Sequence, residues 1–201
     1  EAPPFDRIRD EHFLPALRAG MQQHLAEVRA IAAQRAPATF GNTIEALERS
    51  GALLARVAKV FFNLTASHTN PALQKVQAEV APLLAAHDDT IHLDADLFAR
   101  IQAVHAARDR LPDAEQRRLV ERYHAEFVRS GAQLDAARQQ TLRAYNTELS
   151  QLTTKFQEQL LACTNASAVL VDDVAELAGL DPSAISAAAA AATAAGHPGQ
   201  Y

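Results

Sequence analysis

Eight histidines occur in this 201-residue chain, and histidine is the side chain best suited to ligate a metal or move a proton near neutral pH. A helical zinc site of the His-Glu-x-x-His kind would place two imidazoles on one helix face, with a glutamate held beside them to activate water. No histidine here stands in that frame: His24 leads into Leu25-Ala26, His87 into Asp88-Asp89 and His124 into Ala125-Glu126. The densest local set is His87, Asp88, Asp89, His92, Asp94 and Asp96. Imidazole and carboxylate suit zinc or another first-row metal. This set, however, spans a polar break between helices at 87–93, where charge is needed for solvation, and Asp94 is placed to cap the next helix. It therefore reads as a solvated loop. His24 and Glu27 share a helix face without further ligands and read as an ordinary surface pair.

Other chemistries lack their signatures. There is no glycine-rich phosphate loop and no Gly-x-Ser-x-Gly elbow for a serine nucleophile. Cys163 is the single cysteine, which excludes an internal disulfide and a thiolate-rich metal site. The charge balance of 24 acidic against 19 basic side chains, net -5, is spread along the chain. It offers no concentrated basic patch, so nucleic acid is not an expected partner. No apolar run is long enough to cross a membrane. No residue is assigned to catalysis, to cofactor binding or to a metal.

The elements that would carry these side chains are helical. Hydrophobic residues make up 48% of the chain while aromatics make up only 5%; the balance is alanine, which favours helix and close helix contacts. The stretch from Asp113 to Thr164 is expected to organise the rest. Leu119, Tyr123 and Phe127 form one stripe before Gly131, and Leu142, Tyr145, Leu149, Leu152, Phe156, Leu160 and Cys163 form a second. Their gaps of three and four predict two long amphipathic helices folded back as an αα-hairpin. On this reading Cys163 is buried in the core.

Earlier helices supply the covering partners. Asp10 is expected to cap a helix through Phe13, Leu17, Met21, Leu25 and Val28, with Pro15 tolerated in the first turn. Asn42 to Glu45 matches a capping box, opening a helix through Leu64 with Gly51 inside it, close to a neighbouring element. Asn70-Pro71 is a cap followed by proline at the first helical position, and Pro82 should bend the helix that follows. Asp94 and Asp113 cap two more, the latter with Gln116 as a box. Ala168 to Val171 reads as an extended connector or strand, and Asp172 or Asp173 as the cap of a short turn. Asp181-Pro182 opens an alanine-rich helix that has little bulk to bury. The fold class expected is all-α, a multi-helix antiparallel bundle or array with a long αα-hairpin.

Four stretches carry a more specific likeness. PPFDRIRDEHFLPAL, TFGNTIEALERSG, VFFNLTASHTNPALQKVQAEVAP and ERYHAEFVRSGAQL, in this order and spacing, resemble the amino-terminal portion of bacterial peptidyl-dipeptidases of the thimet oligopeptidase family. DVAELAGL continues the match. The resemblance implies a mostly helical zinc peptidase in two parts facing a channel, with short peptides as substrates and zinc held by the other part. It implies that residues 1–201 are a helical amino-terminal domain of a larger metallopeptidase, truncated at the carboxyl end, whose catalytic domain lies in cis. The chain is then a non-catalytic channel wall, inactive and zinc-free by itself. An oligopeptidase cleaving internally and an autonomous helical interaction or scaffold domain are the alternatives. A cytoplasmic location is the expectation, with the periplasm as alternative.

Overall fold

A computed structural model describes residues 3–201. The fold is all-α, as expected, and among the described residues there is no strand. In chain order the helices are α1 (Phe13–Ala32), α2 (Ala46–Arg49), α3 (Ala52–Ser67), α4 (Pro71–His92), α5 (Ala95–Ala106), α6 (Ala114–Arg129), α7 (Ala136–Ala166) and α8 (Pro182–Ala194). The chain forms two compact units, Glu1–Phe156 and Gln157–Tyr201, and the boundary falls within α7.

The starts of these helices follow from their capping chemistry. Asn70 accepts from the Leu73 amide at 2.9 Å, Asp94 from Leu97 at 2.7 Å and Asp181 from Ser183 at 2.8 Å, each satisfying a backbone N–H with no helical partner. Asp113 caps α6 through the Glu115 amide. Two expected starts and the course of one expected helix are corrected. Asp10 does not cap α1; its carboxylate accepts from the Asn70 side chain at 2.9 Å and so ties the entry of α1 to the cap of α4. The capping box near residue 42 is shifted: Thr39 is the cap, its hydroxyl accepts from the Asn42 amide, and the Asn42 side chain accepts from the Thr39 amide. The helix expected from Asn42 through Leu64 is interrupted at Gly51, which takes the left-handed conformation at φ 69.

The larger unit has two apolar clusters, and α1 contributes to both. Phe13, Leu17 and Met21 from its first half pack with Phe61, Leu73 and Val80. Val28 and Ile31 from its second half join Ile44, Ile101, Val120 and Phe127. The backbones of α1 and α3 come so close at Gly20 that an added Cβ would lie 2.9 Å from the Leu54 Cα. That atom belongs to another helix backbone and cannot step aside. Gly20→Ala should therefore lower stability by about 1–3 kcal/mol, despite alanine's better helix propensity; a urea titration reads it directly.

Two further expectations are corrected by the packing. The stretch 87–93 is not a polar break, because α4 continues to His92 and buries His87, Asp89 and Ile91. Helix α6 packs on α5 and on the Phe40–Glu45 turn, and the core is built from α1 to α6 and that turn rather than around the stripe of α7. Tyr145, Leu149, Leu152, Phe156 and Leu160 are all exposed, Tyr145 by 64% and Phe156 by 63%. Cys163, expected in the core, is also exposed. The periodicity correctly gave an amphipathic helix, but among the described residues nothing in the larger unit covers this face of Tyr145 to Phe156.

In the smaller unit Val171 exchanges both backbone hydrogen bonds with Tyr201, each at 3.0 Å. This is the extended connector expected at 168–171. Asp173 caps the short turn Val174–Leu177 through the Ala175 amide. In α8 the Ala192 side chain is buried.

Candidate functional site

The polar residues that sequence reading set aside as a surface pair and a loop meet at one junction. The Nδ1 of His24 on α1 lies 3.0 Å from the Nε2 of His87 on α4, with ring centroids 5.0 Å apart. On its other side the His24 Nε2 lies 3.2 Å from the Ser50 Oγ, whose own hydroxyl donates to the Leu47 carbonyl at 2.7 Å. Glu27, one turn along α1, accepts from the Gly51 amide at 2.7 Å and from the Gln23 side chain at 2.9 Å. A Cβ on Gly51 would stand 2.9–3.0 Å from the His24 ring. The turn between α2 and α3 is thus pressed onto an imidazole, which accounts for the close approach expected at this glycine.

The Ser50-His24-His87 line has the outline of a nucleophile with its base, but its hydrogen bonds run the wrong way. The Ser50 proton is committed to the Leu47 carbonyl, so His24 must donate to Oγ and cannot withdraw a proton from it. A polar cavity of about 320 Å³ adjoins this line, with His24, Glu48, Asp88, His92, Tyr123 and Glu126 among its lining residues. Burial, followed by a hydrogen bond to Glu48, raises the Tyr123 phenol well above its usual range and keeps it a neutral donor.

The residues of the acidic and imidazole cluster disperse around α4. His87 turns toward α1, Asp89 accepts from Asn146 at 2.6 Å, and His92 packs on Phe127 with centroids 4.8 Å apart. Asp94 is occupied as the α5 cap. Among the described residues no three His, Cys, Asp or Glu side chains converge to hold a metal ion, so the donor set does not fit zinc. A separate groove of about 790 Å³ between the entry of α1 and α3 is lined by Ile8, Phe13, Val57 and Val60, with Arg7, Arg56 and Lys59. Sequence periodicity gave no signal for the His24–His87 contact, since the two are 63 residues apart and neither stands in a motif.

No protein-family model matches the chain. Its similar proteins of known name are peptidases, in two groups: dipeptidyl carboxypeptidases and oligopeptidases A. The chain is 45% identical over 192 residues to dipeptidyl carboxypeptidase of Escherichia coli strain K12, and 45% identical over 193 residues to that of Salmonella typhimurium. Identity to oligopeptidase A of Escherichia coli is 29% over 198 residues. These alignments cover 95–96% of this chain but only 28–29% of the relatives. The resemblance read from the four sequence stretches is therefore shown. Among the described residues no helix is long and apolar enough to cross a membrane.

Proposed function

We propose that this chain is a non-catalytic helical wall of a zinc peptidase that releases dipeptides from the free carboxyl end of short peptides. The observation that carries the reading is the difference between 45% identity to dipeptidyl carboxypeptidase and 29% to oligopeptidase A across nearly the same residues. Two features of the chain agree with a wall rather than a centre. Asp89, Asp94 and His87 from the acidic and imidazole cluster are engaged in a cap or in interhelical bonds, and among the described residues no three such side chains converge. A catalytic zinc, with three protein ligands and an open position, then belongs to polypeptide other than these residues. The exposed stripe of α7 is the surface on which that polypeptide would dock in cis. Such a wall selects by shape: it narrows a channel to extended peptides and leaves recognition of the terminal carboxylate to the catalytic part.

The test uses the intact protein and one peptide in two forms. The form with a free carboxyl end should be shortened in two-residue steps, and amidation of that end should remove most of the activity. Cleavage of both forms at the same internal bond, read by mass spectrometry, would support an internally cleaving oligopeptidase instead. Absence of peptidase activity from the intact protein would favour an autonomous scaffold domain.

A further inference from the structure

The junction of α1, α4 and the Ser50-Gly51 turn is closed by two imidazoles whose hydrogen bonds admit one arrangement of protons. The Ser50 hydroxyl donates to the Leu47 carbonyl, so the proton between His24 and Ser50 sits on the His24 Nε2. The His24 Nδ1 is then bare and accepts from the His87 Nε2–H across 3.0 Å. This leaves the His87 Nδ1 buried and without a hydrogen-bond partner, a tolerable place for a bare nitrogen but a poor one for an N–H donor. The opposite arrangement would put that unpartnered N–H inside the protein and leave the single Ser50 proton to serve two acceptors, the Leu47 carbonyl and the bare His24 Nε2. Packing and hydrogen bonding therefore select one neutral tautomer for each ring.

We propose that the His24–His87 pair is an acid-sensitive latch, holding α1 to α4 and to the Ser50-Gly51 turn while both rings are neutral and loosening that hold when either ring takes up a proton. A proton added to His24 at Nδ1 would face the His87 Nε2–H head to head across 3.0 Å. One added to His87 at Nδ1 would be buried with nothing to receive it. The first event breaks the bond that spans α1 and α4; the second keeps that bond but buries a charged N–H with no acceptor, so both disfavour the closed junction.

The charges around the latch do not rescue the protonated forms. Glu27 faces it from α1, Glu48 from α2, Asp88 and His92 from α4, and Arg122, Tyr123 and Glu126 from α6. Glu27 is already occupied by the Gly51 amide and the Gln23 side chain. Burial lowers the affinity of His24 for a proton more than Glu27 and Asp88 raise it. In His87 burial acts first and the neighbouring His24 adds to it. Both rings are thus held below the ordinary imidazole value. The unfolded chain takes up these protons near pH 6.5 while the folded latch does not, so the unfolded state binds more protons. Stability is present in full above about pH 6.5 and is lost as pH falls through the lower, folded-state values.

Hydrogen exchange of the intact protein, followed by mass spectrometry at pH 7.5 and 5.5 and corrected for intrinsic exchange, tests this locally. Peptides covering 20–28 and 83–92 should open several-fold more at the lower pH. In His87→Gln, whose amide can donate to His24 but takes up no proton, the pH dependence of those peptides should largely vanish. Equal corrected protection at both pH values in the wild type overturns the latch, and this result stands whether or not a variant folds. A folded His87→Gln protein that keeps the full pH dependence overturns it as well.

Discussion

Arg100→Met should unfold the chain at a markedly lower urea concentration, with a loss of about 3 kcal/mol or more. Arg100 is 8% exposed, and its guanidinium donates to the Gln34 and Ala36 carbonyls at 2.9 and 3.0 Å and to the Asn42 side chain at 2.9 Å. Three charge-assisted bonds thereby pin the connector after α1, and the turn that begins α2, onto α5. Methionine keeps much of the stem but strips two carbonyls of their donor, and hydrogen bonds to charged groups are worth about 1.5–3 kcal/mol each. Lysine should recover only part of the loss, because an ammonium cannot reproduce the planar fork that spans three acceptors. If the effect runs through this fork, Asn42→Ala and Arg100→Met will be strongly non-additive. Additive losses would mean that the two side chains act separately.

The double substitution Leu149→Asp and Phe156→Asp should distinguish the isolated chain from the longer peptidase proposed above. Both side chains are exposed on α7, Leu149 by 63%, so in the isolated chain the loss of stability read from a urea titration should be no more than about 1 kcal/mol, about 0.5 kcal/mol for each substitution. In the intact protein the same stripe is proposed to meet the remaining polypeptide. There the substitutions should lower peptidase activity at least about tenfold, because losing one buried anchor of about 2 kcal/mol already weakens a contact by more than that. Equal activity in variant and wild type would remove the stripe from the docking surface.

What could be read from the sequence depended on how local its cause was. The caps at Asn70, Asp94, Asp113 and Asp181 were legible because cap and orphan amide lie within three residues of each other. The helical phase of α7 was legible too, but periodicity states which residues share a face and not what covers it. Cys163 was misplaced for that reason. The end of α4 was misread because His87 and Asp89 are polar in the sequence yet meet His24 and Asn146, both more than fifty residues away. Arg100 carried no signal at all, since its three acceptors lie 58 to 66 residues earlier. The candidate site is made of such long-range pairs, whereas the helices that carry it are specified mostly by near neighbours. The likeness to peptidyl-dipeptidases was legible for another reason: it rests on residue identity in four stretches.

The division of the larger unit into two clusters sharing α1 bears on the order in which the chain is made. Every residue of the Phe13, Leu17, Met21, Phe61, Leu73 and Val80 cluster, with the side chains packed around it, lies between Ile8 and Leu84. The second cluster waits for Val120 and Phe127. During synthesis from the amino terminus the first cluster is complete once Leu84 has cleared the ribosome, while α5 and α6 have yet to emerge. The free second half of α1, with Val28 and Ile31, then stands as a preformed template on which the later helices close.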